Sequence, residues 1–448
     1  MRYAYLLAIL LFACQSTQQK VAKERQPNII LIYTDDLGYG DLSCYGHPTI
    51  HTPRLDQMAQ EGIRLTSFYT AAPVCTPSRA GLLTGRYPIR FGMPGNLGPD
   101  SPGGFPAEEQ SLAEALKDKG YHTAAIGKWH LGAVAGHFPT DHGFDEYFGI
   151  LYSNDMEPPW VETDRELRLY RNDQPTDEYP VDQRTLTERY TQEAIDVINA
   201  HQDEPFFIYL PHAMPHLPIS ASTQFQGTSA GGRIGDVVES LDWSTGQILD
   251  AVKAAGLDEH TMVIFTSDNG PWSNMPPRMY DTEPVERWDA GVAGALNGTK
   301  ATTYEGGPRV PCIIRWPGRI PTKQVSAQQA TTMDLHASIL GLVGAEALPD
   351  RPLDGDDMMP FLQGKAAAPA RTYFYYWLDR LQAVRNGDWK YRHAQMDGEL
   401  KEELFNLKED PAERYNVIEA YPERATTLKK QLIAFARETK ARLDFETD

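Results

Sequence analysis

The strongest constraint on the fold is a repeated switch between two hydrophobic periods. Residues 27–33, Pro-Asn-Ile-Ile-Leu-Ile-Tyr, form an unbroken apolar run rich in β-branched side chains. A strand with one wet face would alternate apolar and polar residues, so this run predicts a strand buried on both faces in a parallel sheet. Comparable runs occur at 123–126, 206–210, 262–266 and 312–316. Between them, residues 111–119 (closed by Gly120), 186–200, 237–255 (closed by Gly256) and 333–343 carry helical periodicity. This alternation predicts an α/β fold: a large, doubly wound, mostly parallel sheet with helices on both faces.

Around 363–369, Gln-Gly-Lys-Ala-Ala-Ala-Pro, the composition becomes that of a linker. Short β-like runs follow at 373–377, 382–385 and 389–392, then a helical pattern at 425–443. They predict a smaller C-terminal α+β domain with an antiparallel sheet. The expected division is 1–26 as a leader, 27–365 as the main α/β domain and 366–448 as the small domain, which suits a chain of 448 residues. Segments 154–183 and 271–298 are rich in Pro, Asp, Glu and Trp without periodicity, and are expected to loop over the sheet's carboxyl edge.

Arg2 precedes an apolar run, 4–13, too short to span a bilayer and the length of a secretory core. With Cys14 and the polar stretch behind it, the run resembles a bacterial lipoprotein signal. It predicts export to the periplasm or outer membrane, with membrane contact only through lipidation of Cys14. Lys plus Arg is 42 against 61 Asp plus Glu, a net charge of −19, which disfavours nucleic acid as a partner. Cys44, Cys75 and Cys312 remain, so at least one thiol lacks an internal partner. Whether Cys44 and Cys312 pair stays open.

In open α/β sheets, ligands bind beyond the carboxyl ends of the strands. Asp35 and Asp36 follow the first strand, and Asp268 and Asn269 follow the run at 262–266. Either pair alone marks a turn or a cap. Together they offer three carboxylates and an amide oxygen, a hard donor set suited to Ca2+ or Mg2+ rather than Zn2+. In Cys75-Thr76-Pro77-Ser78-Arg79, continued to Gly85-Arg86, Pro77 and Ser78 read as a helix start and Gly85 as its stop. Cys75 is thereby expected just before a helix N-terminus, where backbone N–H groups favour anions. Lys128 and His130 flank Trp129 after a strand and point to the same face.

These segments together resemble the formylglycine-dependent sulfatases of the alkaline-phosphatase-like superfamily. Cys75-Thr76-Pro77-Ser78-Arg79 with Leu82-Leu83-Thr84-Gly85-Arg86 matches the signature at which a maturation enzyme oxidises the Cys to Cα-formylglycine. The resemblance runs from about Asn28 to Asn416 and takes in 34–41, 127–132, 267–270, 300–307 and, in the C-terminal part, 404–407. It implies a sulfuric-ester hydrolase in which a hydrated aldehyde at position 75 attacks sulfur with one oxygen and expels sulfate with the other. By the same resemblance, Asp35, Asp36, Asp268, Asn269 and an oxygen of residue 75 hold Ca2+, and Arg79 holds the diol. His130 takes its proton, Lys128 and Lys300 bind sulfate, His216 protonates the departing alkoxide, and Ser153 contacts substrate. His212 is read as structural. The implied partners are a sulfated oligosaccharide or polysaccharide and the maturation enzyme. Two alternatives stay open: a phosphonate or phosphate monoester hydrolase of the same superfamily, and a sulfated-glycan-binding lipoprotein without catalysis.

Overall fold

The first apolar run forms a strand, Asn28–Thr34, in which every residue is buried. The computed structural model describes residues 25–281, 285–396 and 398–445, so the leader and Cys14 lie outside the described residues. Eleven strands make the main sheet: β1 (Asn28–Thr34), β2 (Ile63–Tyr69), β3 (His122–Lys128), β4 (Glu146–Ile150), β5 (Leu169–Arg171), β6 (Gln174–Pro175), β7 (Phe206–Pro211), β8 (Thr261–Ser267), β9 (Arg309–Arg315), β10 (Gln324–Ser326) and β11 (Ala330–Thr331). Their order is β10-β2-β9-β8-β1-β7-β3-β4-β5-β6, with β11 paired to β2. The central block β8-β1-β7-β3-β4 is parallel throughout.

The expected strand at 312–316 is β9, which runs antiparallel between β2 and β8. Its direction follows from the chain path: the connection from β8 stays on the carboxyl edge, so β9 starts there and must run back. The sheet also contains β2, β4, β10 and β11, which the apolar runs did not announce. The segment expected as a loop at 154–183 contains the hairpin β5–β6, which extends the sheet edge.

The helices are α1 (Pro53–Gln60), α2 (Cys75–Thr84), α3 (Leu112–Lys117), α4 (Leu186–Ala200), α5 (Gly232–Ala254), α6 (Pro277–Tyr280), α7 (Thr332–Val343), α8 (Met359–Leu362) and α9 (Pro422–Thr439). The second expected loop, 271–298, contains α6. Helix α3 starts where Ser111 accepts from the Glu114 N–H while the Glu114 carboxylate accepts from the Ser111 N–H, a reciprocal cap. Cys75 is the first residue of α2 rather than the residue before it, because Val74 is the extended N-cap.

Every residue of α2 is buried, and it ends at Gly85, which has φ +69°. A Cβ there would meet the His336 ring of α7 at 2.7 Å, so the imidazole closes the space beyond the helix end. Burial pulls the His336 pKa down to about 4. Because the unfolded chain binds that proton near 6.5, stability from the neutral ring is present above 6.5 and lost as pH falls through 6.5 towards 4. Thermal melts from pH 7 to pH 4 should therefore decline more steeply for the wild type than for His336→Met, by the equivalent of roughly 3 kcal/mol. Parallel curves would contradict this.

The small sheet comprises β12 (Thr372–Trp377), β13 (Arg380–Asn386), β14 (Trp389–Met396) and β15 (Glu399–Asn406), all antiparallel, with β16 (Arg442–Leu443) parallel to β13. Tyr373, Tyr375 and Tyr376 of β12 share a buried cluster with Tyr69 and Tyr87 of the larger unit, so the two sheets dock through aromatic rings. Cys44, Cys75 and Cys312 are all free, which answers the open question of pairing.

Candidate active site

Strand register brings the predicted residues together. Thr34 of β1 pairs with Ser267 of β8, so Asp35 and Asp268 leave the sheet side by side. The Asp268 N–H donates to the Thr34 carbonyl at 3.0 Å, and the Asp36 N–H to Asp268 Oδ1 at 3.1 Å. On the other side of β1, β7 leads to His216, β3 ends in Lys128, and Ser153 follows β4. Helix α2 drops Cys75 into the middle. Its Sγ lies 3.4 Å from Asp35 Oδ1, 3.9 Å from Asp36 Oδ1 and 3.3 Å from Lys300 Nζ.

Each cation is matched to a carboxylate. Arg79 donates through Nε and Nη2 to Asp268 Oδ2, at 3.0 and 2.7 Å, lies 3.4 Å from Asp35, and donates through Nη1 to the Lys128 carbonyl at 2.6 Å. Its donors thus orient the carboxylates beside residue 75. Lys128 Nζ donates to Asp35 Oδ2 and, at 3.0 Å, to Ser153 Oγ. Lys300 Nζ donates to both oxygens of Asp36, at 2.7 and 2.9 Å.

Burial raises the Asp35 pKa, but Lys128, His216 and Arg79 outweigh it and hold the carboxyl well below its usual range. Asp268 is pushed up to about 7, by burial first and the Asp35 charge second. Burial together with Asp268 and Asp35 also pushes the Cys75 thiol well up. A thiol held protonated is a weak nucleophile, so unmodified Cys75 is chemically quiet here.

The two histidines are poised differently. His130 Nε2 faces the Leu97 carbonyl at 2.9 Å, which makes Nε2 the donor and leaves Nδ1 with its lone pair. Nδ1 is buried and has no partner among the described residues. Burial, then Lys128 and Arg79, depress its pKa, so the ring is neutral and able to accept a proton. His216 Nδ1 donates to the Leu217 carbonyl at 2.6 Å, and Nε2 lies 3.6 Å from Asp36 Oδ2. Burial and the charges of Lys300 and Lys128 keep it neutral as well, and an anionic ester beside it would act in the opposite sense. His212 contacts Ser244 at 3.3 Å and packs near Tyr190, as its structural reading expected.

Asp36, His130 and Ala301, next to Lys300, all have positive φ, at 63°, 58° and 66°. Non-glycine residues held there mark backbone that its surroundings over-determine, as functional sites commonly show.

The cluster fits a hard cation. Asn269 Oδ1 is buried with no partner among the described residues, an acceptor that a cation would satisfy. Three carboxylates, from Asp35, Asp36 and Asp268, balance three cations, from Arg79, Lys128 and Lys300. A divalent ion would leave the pocket positive by two, ready for an anion. Among the described residues, Asp35, Asp36, Cys75 and His216 place ligand atoms within 4.8 Å of one another. A second group, His122, Glu146 and His201, lies at the opposite edge of the sheet. Its imidazoles stack with ring centroids 3.6 Å apart and planes 9° from parallel, so their in-plane lone pairs do not converge on one ion.

A family model described as Sulfatase matches residues 27–345. The chain belongs to the sulfatase family. A second model, N-sulphoglucosamine sulphohydrolase, C-terminal, matches residues 299–438 of this sulfatase. Arylsulfatase A of Bos taurus is 37% identical, over 90% of this chain and 85% of its own length. N-acetylgalactosamine-6-sulfatase of Canis lupus familiaris is 41% identical, over 81% of this chain and 71% of its own. Among solved structures, Ps i-CgsB in complex with k-i-k-neocarrahexaose superposes with a TM-score of 0.80 at 27% identity, covering 92% of this chain and 93% of that one. The sulfatase is accordingly a sulfuric ester hydrolase.

One residue that the motifs did not announce, Trp272, borders the sulfatase site. The half-buried Trp272 carries Lys300 Nζ over its ring at 4.6 Å and lies 5.4 Å from the His216 ring. Its place two residues after Gly270 was the available signal. Asp36, His216 and Lys300 are slightly exposed, whereas Cys75, Asp35 and Lys128 are sealed. The pocket therefore opens on the side that Trp272 borders.

Proposed function

We propose that this sulfatase removes sulfate from a sulfated carbohydrate, using a hydrated formylglycine made from Cys75 and a bound Ca2+. The observation that carries this reading is the meeting of Cys75 with three carboxylates, three cations and an orphaned amide oxygen at one sheet edge. The N-acetylgalactosamine-6-sulfatase relative and the sugar in the structural neighbour support carbohydrate as the substrate class. The inert environment of the thiol supports a modified side chain as the nucleophile.

A hydrated aldehyde at position 75 would supply one oxygen to attack sulfur and a second to expel sulfate, and Asp35, Asp36, Asp268, Asn269 and residue 75 would hold a Ca2+ that would supply Lewis-acid polarisation. Around them, Lys128 and Lys300 bind sulfate oxygens, and their fixed charges need no reorganisation as charge moves. Arg79 holds Asp35 and Asp268 in place. His130 accepts the proton from residue 75 at Nδ1, with its tautomer set by Leu97. His216, its Nδ1–H held by the Leu217 carbonyl, takes a second proton at Nε2 once the anionic ester is beside it and passes that proton to the leaving oxygen, and Ser153 orients Lys128. The amino-terminal reading belongs to the same proposal: export, with Cys14 as the lipidation site.

Paired assays test the reaction class. On identical aryl leaving groups, the matured enzyme should show kcat/KM for the sulfate ester higher than for the phosphate monoester by roughly a hundredfold or more. A preference for phosphate or phosphonate would replace this reading, and absence of any turnover with intact formylglycine would favour the glycan-binding alternative.

A further inference from the structure

The loop that carries Lys300 is gripped on its far side by the small sheet. Glu305, five residues after Lys300, is fully buried. Its carboxylate accepts from Lys390 Nζ of β14 at 3.0 Å, from the Tyr375 hydroxyl of β12 at 2.7 Å and from the Tyr69 hydroxyl. Its backbone N–H donates to Glu413 Oε2 at 2.7 Å, and Lys390 Nζ also lies 2.8 Å from Glu413 Oε1. One sealed ammonium thus joins a carboxylate of the loop to a carboxylate of the small domain. Glu413 sits at φ +52°, another non-glycine residue held in the left-handed region. Burial raises the Glu305 pKa, but Lys390, Arg309 and Arg385 outweigh it and hold it at about 2, so the loop carboxylate stays charged.

On its near side the same loop is locked to the catalytic segments. The Lys300 N–H donates to the Pro271 carbonyl at 3.0 Å, the Ala301 N–H to the Pro73 carbonyl at 2.8 Å, and the Gly270 N–H to the Gly307 carbonyl at 2.7 Å. A Cβ on Gly270 would lie 1.8 Å from the Gly306 carbonyl, so the two backbones touch. The loop is therefore a short bridge, with Lys300 at one end and the buried ion cluster at the other.

A sealed ion cluster adds little stability over an apolar replacement of the same shape, and its best-attested use is to fix one register. We propose that Lys390 is a positioning residue for sulfate binding: through Glu305 it sets the register of the 299–308 loop and so the place of the Lys300 ammonium. The small domain, which holds none of the predicted site residues, then has a defined part in catalysis. The inference rests on the reading that Lys300 binds sulfate.

The test is a double-mutant cycle on the matured, Ca2+-loaded enzyme, comparing Lys300→Ala, Lys390→Met and both together. KM, kcat and melting temperature are measured, with the dissociation constant of inorganic sulfate by calorimetry. Lys390→Met should raise KM and the sulfate dissociation constant by about tenfold with kcat less affected, and should add almost nothing in the Lys300→Ala background. An equal penalty in both backgrounds, or unchanged sulfate affinity beside an impaired Lys300→Ala, would overturn the inference. Unchanged affinity in Lys300→Ala itself would instead remove the reading of Lys300. If Lys390→Met does not fold, Tyr375→Phe, which deletes one hydroxyl donor to Glu305, decides. A rise of about threefold in the sulfate constant supports the inference and no change refutes it.

Discussion

Replacing Cys75 by Ala is expected to lower kcat by at least about 10^4-fold while moving the melting transition little. In the proposed mechanism the loss is large because the nucleophile acts as a unit with its surroundings: Lys128, Lys300 and His130 would have no oxygen to assist once side chain 75 stops at Cβ. The fold is spared because only one small group leaves a helix whose other buried residues, Thr76 to Thr84, still pack. Circular dichroism melts beside an initial-rate assay check both halves. Turnover within tenfold of the parent would place the nucleophile elsewhere.

The second large effect belongs to Arg79, which is wholly buried between Asp268 and Asp35. Arg79→Met removes the only guanidinium that the described contacts give Asp268 and leaves that carboxyl, already pushed up to about 7, in a dry site without its two donors. Breaking such a pair from one side costs about 3–5 kcal/mol. Denaturant unfolding of the metal-free variant should show that loss. Saturating Ca2+ should recover part of it, because a cation held by Asp35 and Asp268 replaces the missing charge. Activity should stay low even when the fold is rescued, since Asp268 loses the donors that orient it. A variant as stable as the parent without metal would contradict the electrostatic balance described for the pocket.

What could be read from the chain alone followed the strength of the local signal. Residues 28–34 and 261–267 announce themselves because strands buried on both faces leave no polar interruption. The acidic residues that follow were legible for the same reason, as a strand end fixes where the next side chains emerge. Strand β2 alternates half-buried Arg64 and Thr66 with buried Ile63 and Leu65, a weaker period-two signal that a search for continuous apolar runs passes over. Helix α5 begins at Gly232, before its periodic pattern, and its Asp236 carboxylate accepts from the N–H groups of Gly227, Thr228 and Ser229 in the preceding loop, polar contacts with no hydrophobic period. Glu305, in a loop, and Lys390, on the small sheet, lie 85 residues apart, and no spacing rule connects them. Trp272 was visible only as one aromatic in an irregular segment, since its meaning comes from Lys300 and His216 converging on its ring.

One experiment reaches the centre of the proposal. Preparations of the enzyme made with different extents of maturation carry different fractions of aldehyde at position 75, which peptide mass analysis counts directly. Sulfate released per enzyme molecule from one sulfated substrate should rise in proportion to that fraction and vanish for the all-thiol protein. Release at full rate by chains that still carry the Cys75 thiol would contradict it.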